Sequence, residues 1–156
     1  DDTKELFEKY HSRVPFVKQL MSLASKSAND NGQVRTILGR ICHFDLWEPT
    51  KWGVHKALAR DEAMRKYGSN LKRAFIYKAL NKLIQGSAAD QTKKAMIEVY
   101  KAGITPHIQV HDELNCSCRD EKDIKLIKEI MENCIELEVP SKVDPKIGTS
   151  WGTIKN

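Results

Sequence analysis

The sequence predicts an α+β fold in which long helices pack on a small antiparallel sheet, with a β-hairpin presenting His111-Asp112-Glu113. Three observations carry this. Apolar residues recur at helical spacing over roughly residues 3–29, 71–100 and 124–134. Two shorter runs, 33–44 and 104–118, are rich in β-branched residues and contain turn signals. Apolar residues make up 40% of the 156, enough to form a core at this length.

Residues 1–32 read as helices. Asp2 followed by Glu5 resembles a capping box. Leu6, Phe7 and Tyr10, then Val14, Val17, Leu20, Met21, Ala24 and Ala28, follow a helical period. Pro15 lacks an N–H and clashes with the preceding turn, so it splits the pattern into two pieces. Asn29-Asp30-Asn31-Gly32 is a stop signal. Residues 33–44 read as a hairpin turning near Gly39-Arg40. Residues 45–68 read as irregular, with one short helix near Lys56–Lys66. Residues 69–102 read as one long helix opened by Ser69-Asn70, interrupted at Gly86 and closed by Gly103. Residues 104–118 form a second predicted hairpin, 120–136 a helix capped by Asp120, and 137–156 a tail of turns. There is no internal repeat and no low-complexity segment.

In that second hairpin, parity suggests a register. Ile108, Val110, Leu114, Cys116 and Cys118 are all even-numbered. Pairing Val110 with Leu114 and Ile108 with Cys116 places them on one face and leaves His111-Asp112-Glu113 as the loop. Two acids and an imidazole at a hairpin tip suit a hard cation such as Mg²⁺, although polar residues are also ordinary in turns. One aspartate does not hold two ions, so a two-metal site needs carboxylates from another segment.

The bulk numbers narrow the function classes. Twenty-six Lys and Arg against 21 Asp and Glu leave a net charge of +5, compatible with a polyanion partner but spread along the chain. No apolar run reaches the length of a membrane span, and the N-terminus is not a signal peptide, which predicts no membrane association and a cytoplasmic location. Cys42, Cys116, Cys118 and Cys134 contain no CxxC pair, which argues against a zinc ribbon and for reduced thiols. The chain starts at Asp1 rather than Met, which suggests a piece of a longer protein.

A second constellation is Lys78, Asn81 and Gln85, spaced to share one helical face. Such a row can donate to phosphates and to minor-groove acceptors, which every base pair presents; a solvated face is the plainer alternative. Gly86-Ser87-Ala88-Ala89 permits close approach of another helix or a ligand.

These segments together resemble the family A DNA polymerases, the group that includes bacterial DNA polymerase I and phage replicative enzymes. The resemblance rests on Ala79-Leu80-Asn81-Lys82-Leu83-Ile84-Gln85-Gly86-Ser87-Ala88-Ala89-Asp90, on Lys94-Ala95-Met96-Ile97, and on Gln109-Val110-His111-Asp112-Glu113-Leu114, at the family's separations. Upstream, Thr36-Ile37-Leu38-Gly39-Arg40 looks like its Thr-x-x-Gly-Arg segment; downstream, Met131–Cys134 and Gly148–Trp151 resemble its C-terminus. Two positions depart: Ile41 stands where a second Arg is frequent, and Lys78 where Arg is common. Phe44–Pro49 looks more phage-like than bacterial.

The resemblance implies the C-terminal part of such a polymerase, with residues 104–118 as the motif C hairpin of the palm. Asp112 would ligate the catalytic Mg²⁺ ions, Glu113 would support it, and His111 and Gln109 would lie near the primer end and minor groove. Asn81, Gln85 and Lys78 would face the new duplex, and Arg40 the DNA backbone. The partners implied are primer-template DNA, a deoxynucleoside triphosphate, and the N-terminal remainder of the polymerase, covalent or separate. The family's first palm aspartate, its nucleotide-binding fingers helix and any exonuclease domain are missing, so the chain alone is expected to be inactive. A non-catalytic DNA-binding module, a structural subunit and a metal-dependent nuclease using His111, Asp112 and Glu113 are the alternatives.

Overall fold

The computed structural model describes residues 2–154, without the side chain of Asp2, so the cap expected there lies outside the described residues. The chain divides into two compact units, residues 1–86 and 87–156. The fold class is α+β.

The first unit opens with α1 (Asp2–Arg13) and α2 (Pro15–Asn31). Pro15 occupies the first turn of α2, where its missing N–H costs nothing. Gly32 ends α2 in the left-handed region at φ 67°. A Cβ there would also sit 2.8 Å from the Arg73 guanidinium. The chain then forms β1 (Gln33–Arg35) and β2 (Ile41–His43), antiparallel, with Val34 opposite Cys42. Ala24 and Ala28 of α2, Val34, Phe44 and Ala79 form the buried core, flanked by Cys42, Ile76, Leu80 and Leu83. Burying Val34 and Phe44 contributes about 1.5–3 kcal/mol each.

Residues 45–68, expected to be irregular, contain more order than that. Strand β3 (Leu46–Pro49) is the centre of a three-stranded sheet, flanked by β4 (Leu58–Ala59) and β5 (Leu71–Arg73). Helix α3 (Arg60–Tyr67) follows β4. Two guanidiniums approach the Trp47 ring, Arg73 at 4.7 Å and Arg60 at 5.6 Å from its centre. Arg73 also donates to the carbonyls of Phe44 and Asn29, both at 2.9 Å, which ties the sheet to the end of α2.

The long helix expected over 69–102 is corrected at its start. Leu71–Arg73 is strand, and Phe75, at φ 61°, breaks the backbone before a 3₁₀ turn at Ile76–Lys78. The helix α4 runs Ala79–Lys101. Gly86 does not interrupt it; its hydrogen positions take the place of a side chain that would collide with a neighbour.

In the second unit, α4 continues with Thr92, Ala95 and Val99 buried and ends before Gly103, at φ 83°. Next come β6 (Pro106–Val110), β7 (Glu113–Cys116) and α5 (Glu121–Asn133). Asp120 caps α5, its Oδ1 accepting from the N–H groups of Lys122 at 2.8 Å and Asp123 at 3.2 Å. Cys134 Sγ lies 3.6 Å from the Gln91 carbonyl, and Gln91 Nε2 donates to Ser141 Oγ at 3.2 Å, which holds the segment after α5 on α4. Cys118 lies beyond β7, so it does not share a strand face with Cys116 as parity suggested. All four cysteines are free thiols. No described helix is long and apolar enough to cross a membrane.

Candidate functional site

The hairpin β6–β7 carries the acidic triplet, but in a different register from the one parity suggested. Val110 pairs with Glu113, Gln109 with Leu114 and Ile108 with Asn115, leaving a two-residue turn, His111-Asp112. His111 sits at φ 53°. A positive φ at the first turn residue matches the right-handed twist of the flanking strands, which favours two-residue connections over the three-residue loop. The slip is absorbed by an irregularity between Pro106 and Ile108, so that Pro106 faces Cys116. Val110 and Leu114 therefore point to opposite faces. Neither face is a dry core: Ile108 and Gln109 are exposed, while Val110, Leu114 and Asn115 are half-buried.

The two-residue turn puts Asp112 at the apex. Its carboxylate is exposed and makes no hydrogen bond or ion pair to any described residue. Glu113 has left the loop for the first pair of the ladder, where Asn115 Nδ2 donates to its Oε1 at 3.0 Å. Gln109 Nε2 donates to the His111 carbonyl, which stiffens the turn from the strand side. The hairpin thus gathers Gln109, His111, Asp112 and Glu113 at one end.

These residues fit a divalent cation in kind and not in number. Carboxylate oxygens are the hard donors that Mg²⁺ takes. No group of three His, Cys, Asp or Glu side chains that could hold a metal occurs among the described residues. By themselves the described residues of the apex do not make up a metal site.

The remaining expected residues lie in the first unit. Asn81 and Gln85 are exposed on successive turns of α4. Lys78 is exposed too, but in the 3₁₀ turn before the helix, with its Nζ 4.9 Å from the Phe75 ring centre and 5.6 Å from that of Tyr77. Arg40 ends the tight turn after β1. Its N–H donates to Thr36 Oγ1 at 3.0 Å, and its Nη2 donates to the Gly86 carbonyl at 2.7 Å. The turn therefore docks on α4 one residue beyond Gln85. Gly86 makes this possible: a Cβ there would lie 2.7 Å from Thr36 Cγ2. Thr36 belongs to the Thr-x-x-Gly-Arg segment of the sequence, but its packing against Gly86 escaped sequence reasoning, although the small-residue run signalled close approach.

Charge is also divided unevenly. Residues 1–86 hold sixteen Lys and Arg against nine Asp and Glu; residues 87–156 hold ten against twelve. The basic excess belongs to the unit carrying Arg40, Lys78, Asn81 and Gln85, and the acidic apex to the other.

The model of DNA polymerase family A matches residues 1–153. The chain is 37% identical over 147 residues to a DNA-directed DNA polymerase of Pseudomonas phage M6, covering 94% of this chain and 19% of that protein. It is 35% identical over 161 residues to DNA polymerase I of Caldicellulosiruptor bescii, covering 96% of this chain and 17% of that one. The solved POL domain of Pol1 from M. smegmatis, in complex with DNA primer-template and dNTP, superposes with a TM-score of 0.74 at 30% identity, covering 98% of this chain and 26% of that one. The chain thus spans about a fifth of the length of the curated relatives named here. By its match over nearly its whole length, the chain belongs to DNA polymerase family A.

Proposed function

We propose that the chain serves template-directed nucleotidyl transfer, from a deoxynucleoside triphosphate to a primer 3′-OH, as the C-terminal part of a longer or divided polymerase in the cytoplasm of a bacterium or a phage-infected cell. The observation that carries this is the exposed, partner-free Asp112 carboxylate at the apex of a hairpin, in a chain matching the family over residues 1–153.

Each residue then has a task that follows from its chemistry. Asp112 offers oxygen ligands to Mg²⁺, together with a carboxylate from outside this chain. When bound, a pair of such ions lowers the pKa of the attacking hydroxyl and steadies the leaving pyrophosphate. Glu113, held by Asn115, adds negative potential beside Asp112 without leaving the strand. Gln109 and His111 face the primer end. Asn81 and Gln85 donate to minor-groove acceptors common to all base pairs, and so sense pair shape rather than sequence. Lys78 and Arg40 contribute positive charge toward phosphates. No group of three such ligands gathers among the described residues, and the chain alone should not turn over.

The test is primer extension with Mg²⁺ and four triphosphates, using the chain with and without the supplied remainder of a family A polymerase. Extension should require both. Asp112→Ala should lower it by on the order of 10³-fold, the scale of losing one metal-based stabilisation. Unchanged extension by Asp112→Ala would sink the assignment. A chain that binds primer-template but never supports extension, even when shown to associate with the remainder, would instead favour a non-catalytic DNA-binding module, a reading to which the basic first unit lends support.

A further inference from the structure

The connection between β3 and β4, residues 50–57, contains the most exposed large hydrophobic side chains of the described residues. Trp52 is 97% exposed and Val54 fully so. An indole this exposed adds nothing to the packing of the fold, and its apolar face is free to meet a partner.

The loop is not a loose tether. His55 Nε2 lies 3.1 Å from the Lys51 carbonyl. Tyr67 of α3 donates its hydroxyl to the Lys56 carbonyl at 3.2 Å, and its ring meets His55 edge-on at 5.8 Å. Gly53 takes φ 148° between the two anchors. The His55 side chain and the carbonyls of Lys51 and Lys56 are thus used in fixing the loop, and the indole is left outside in a segment that also carries the exposed Lys51 and Lys56. The surroundings are basic: residues 51–82 hold nine Lys and Arg and two acids.

We infer that this loop is a stacking platform for single-stranded nucleic acid. A fixed aromatic face flanked by cations is the arrangement that binds unpaired bases and their phosphates without reading sequence. Duplex DNA does not fit as well, because its bases are already stacked and offer the indole no free face. An acidic protein surface would use the lysines but has no need of a projecting indole. The inference depends on the polymerase reading only in taking nucleic acid as the partner.

The test uses the full chain, fluorescence anisotropy, and a labelled oligo-dT of about 16 nucleotides, the upper site size for one such module. Trp52→Ala should weaken binding by about 5- to 150-fold. It should change binding of a duplex of equal length far less, and Trp52→Phe should retain most of the affinity. Replacing Lys51 and Lys56 together by Ala should flatten the salt dependence by about 0.7 in logarithmic slope per lost contact. Because Trp52 packs against almost nothing, the variants should melt with the wild type. Wild-type chain that fails to bind oligo-dT at low salt would overturn the inference. So would Trp52→Ala that binds normally, or that loses oligo-dT and duplex equally. Loss of self-association in Trp52→Ala with unchanged oligo-dT binding would mark a protein contact instead and also overturn it. Asp112→Ala in primer extension tests the polymerase reading separately, so the two can fail independently.

Discussion

Gly86→Ala is the perturbation that most directly links the fold to the residues expected to face DNA. The added Cβ would lie 2.7 Å from Thr36 Cγ2 and 3.4 Å from the Arg40 guanidinium. Arg40 is a long side chain and can yield. Thr36 has less freedom: it is 5% exposed, and its hydroxyl accepts from the Arg40 N–H at 3.0 Å. The turn must therefore shift as a body, at an overpacking cost of about 1–3 kcal/mol. Alanine in a helix returns about 1 kcal/mol relative to glycine. A shift also stretches the bond from Arg40 Nη2 to the Gly86 carbonyl, now 2.7 Å. The net expectation is a loss of about 1–2 kcal/mol, read as a lower urea midpoint at unchanged slope. Trp47, in the same unit, supplies a fluorescence probe alongside circular dichroism. Thr36→Ser removes the obstructing methyl, keeps the hydroxyl, and should cost about 1 kcal/mol by itself. In the double variant the two losses should fall short of additivity by about 1 kcal/mol or more. Gly86→Ala as stable as wild type, or losses that simply add, would refute the view that this glycine exists to admit the turn.

Further expectations concern the second unit and the apex. Asp120→Ala removes the acceptor for two N–H groups at the start of α5 and should cost about 1 kcal/mol in urea melts, with Asp120→Asn or Ser recovering most of it. Asp123 is held at about 2 by side-chain and backbone hydrogen bonds from Arg119, well below the usual carboxylate value. Its folded value is the lower one, so its contribution is complete above the unfolded value of ~4 and is lost as pH falls through the folded one; Asp123→Asn should melt below wild type at pH 7, and the gap should narrow steadily as pH falls from 4 through 2. Burial pushes the half-buried Cys116 and Cys134 thiols upward, so alkylation should remain slow at pH 7 and accelerate only above the ordinary thiol range. Asp112→Ala, which removes an exposed carboxylate without a partner among the described residues, should leave the stability of the chain in urea within about 0.5 kcal/mol of wild type even as extension falls.

What could be read in the sequence were features set by local chemistry. Pro15 between two helical periods and Gly32 after Asn31 fix α1 and α2 whatever surrounds them. Asp120 before an amphipathic run does the same for α5. The stretch 45–78 was harder because its order is tertiary. Strand β4 has two residues and β5 three, too few to show alternation, and β3 pairs with both from the middle. Among their contacts are Arg60 and Arg73 against the Trp47 ring, the latter across 26 residues of sequence, which no local pattern announces. Ser69-Asn70 looked like the cap of a helix that in fact starts only at Ala79, after Phe75 turns the chain through a left-handed conformation.

The hairpin register shows why the site residues were easier to name than to place. Parity is decisive when one face of a hairpin is buried and the other wet. Here half-buried residues lie on both faces, so the cost of separating Val110 from Leu114 is small, and turn geometry prevails. The consequence is chemical. In a three-residue loop Asp112 and Glu113 would both be free to reach the same ion. In the observed two-residue turn Glu113 belongs to the ladder, pairs with Val110 and accepts from Asn115, while Asp112 stands alone. The structure thus gives the two adjacent acids different surroundings. Glu113→Gln keeps the Asn115 contact through its amide carbonyl and changes one charge beside the apex, so it should reduce extension by about tenfold or less. Asp112→Asn, at the position with no neighbour to compensate, should cost orders of magnitude more. Equal losses in the two variants would mean that both acids reach the ion and that the three-residue loop describes the working hairpin better.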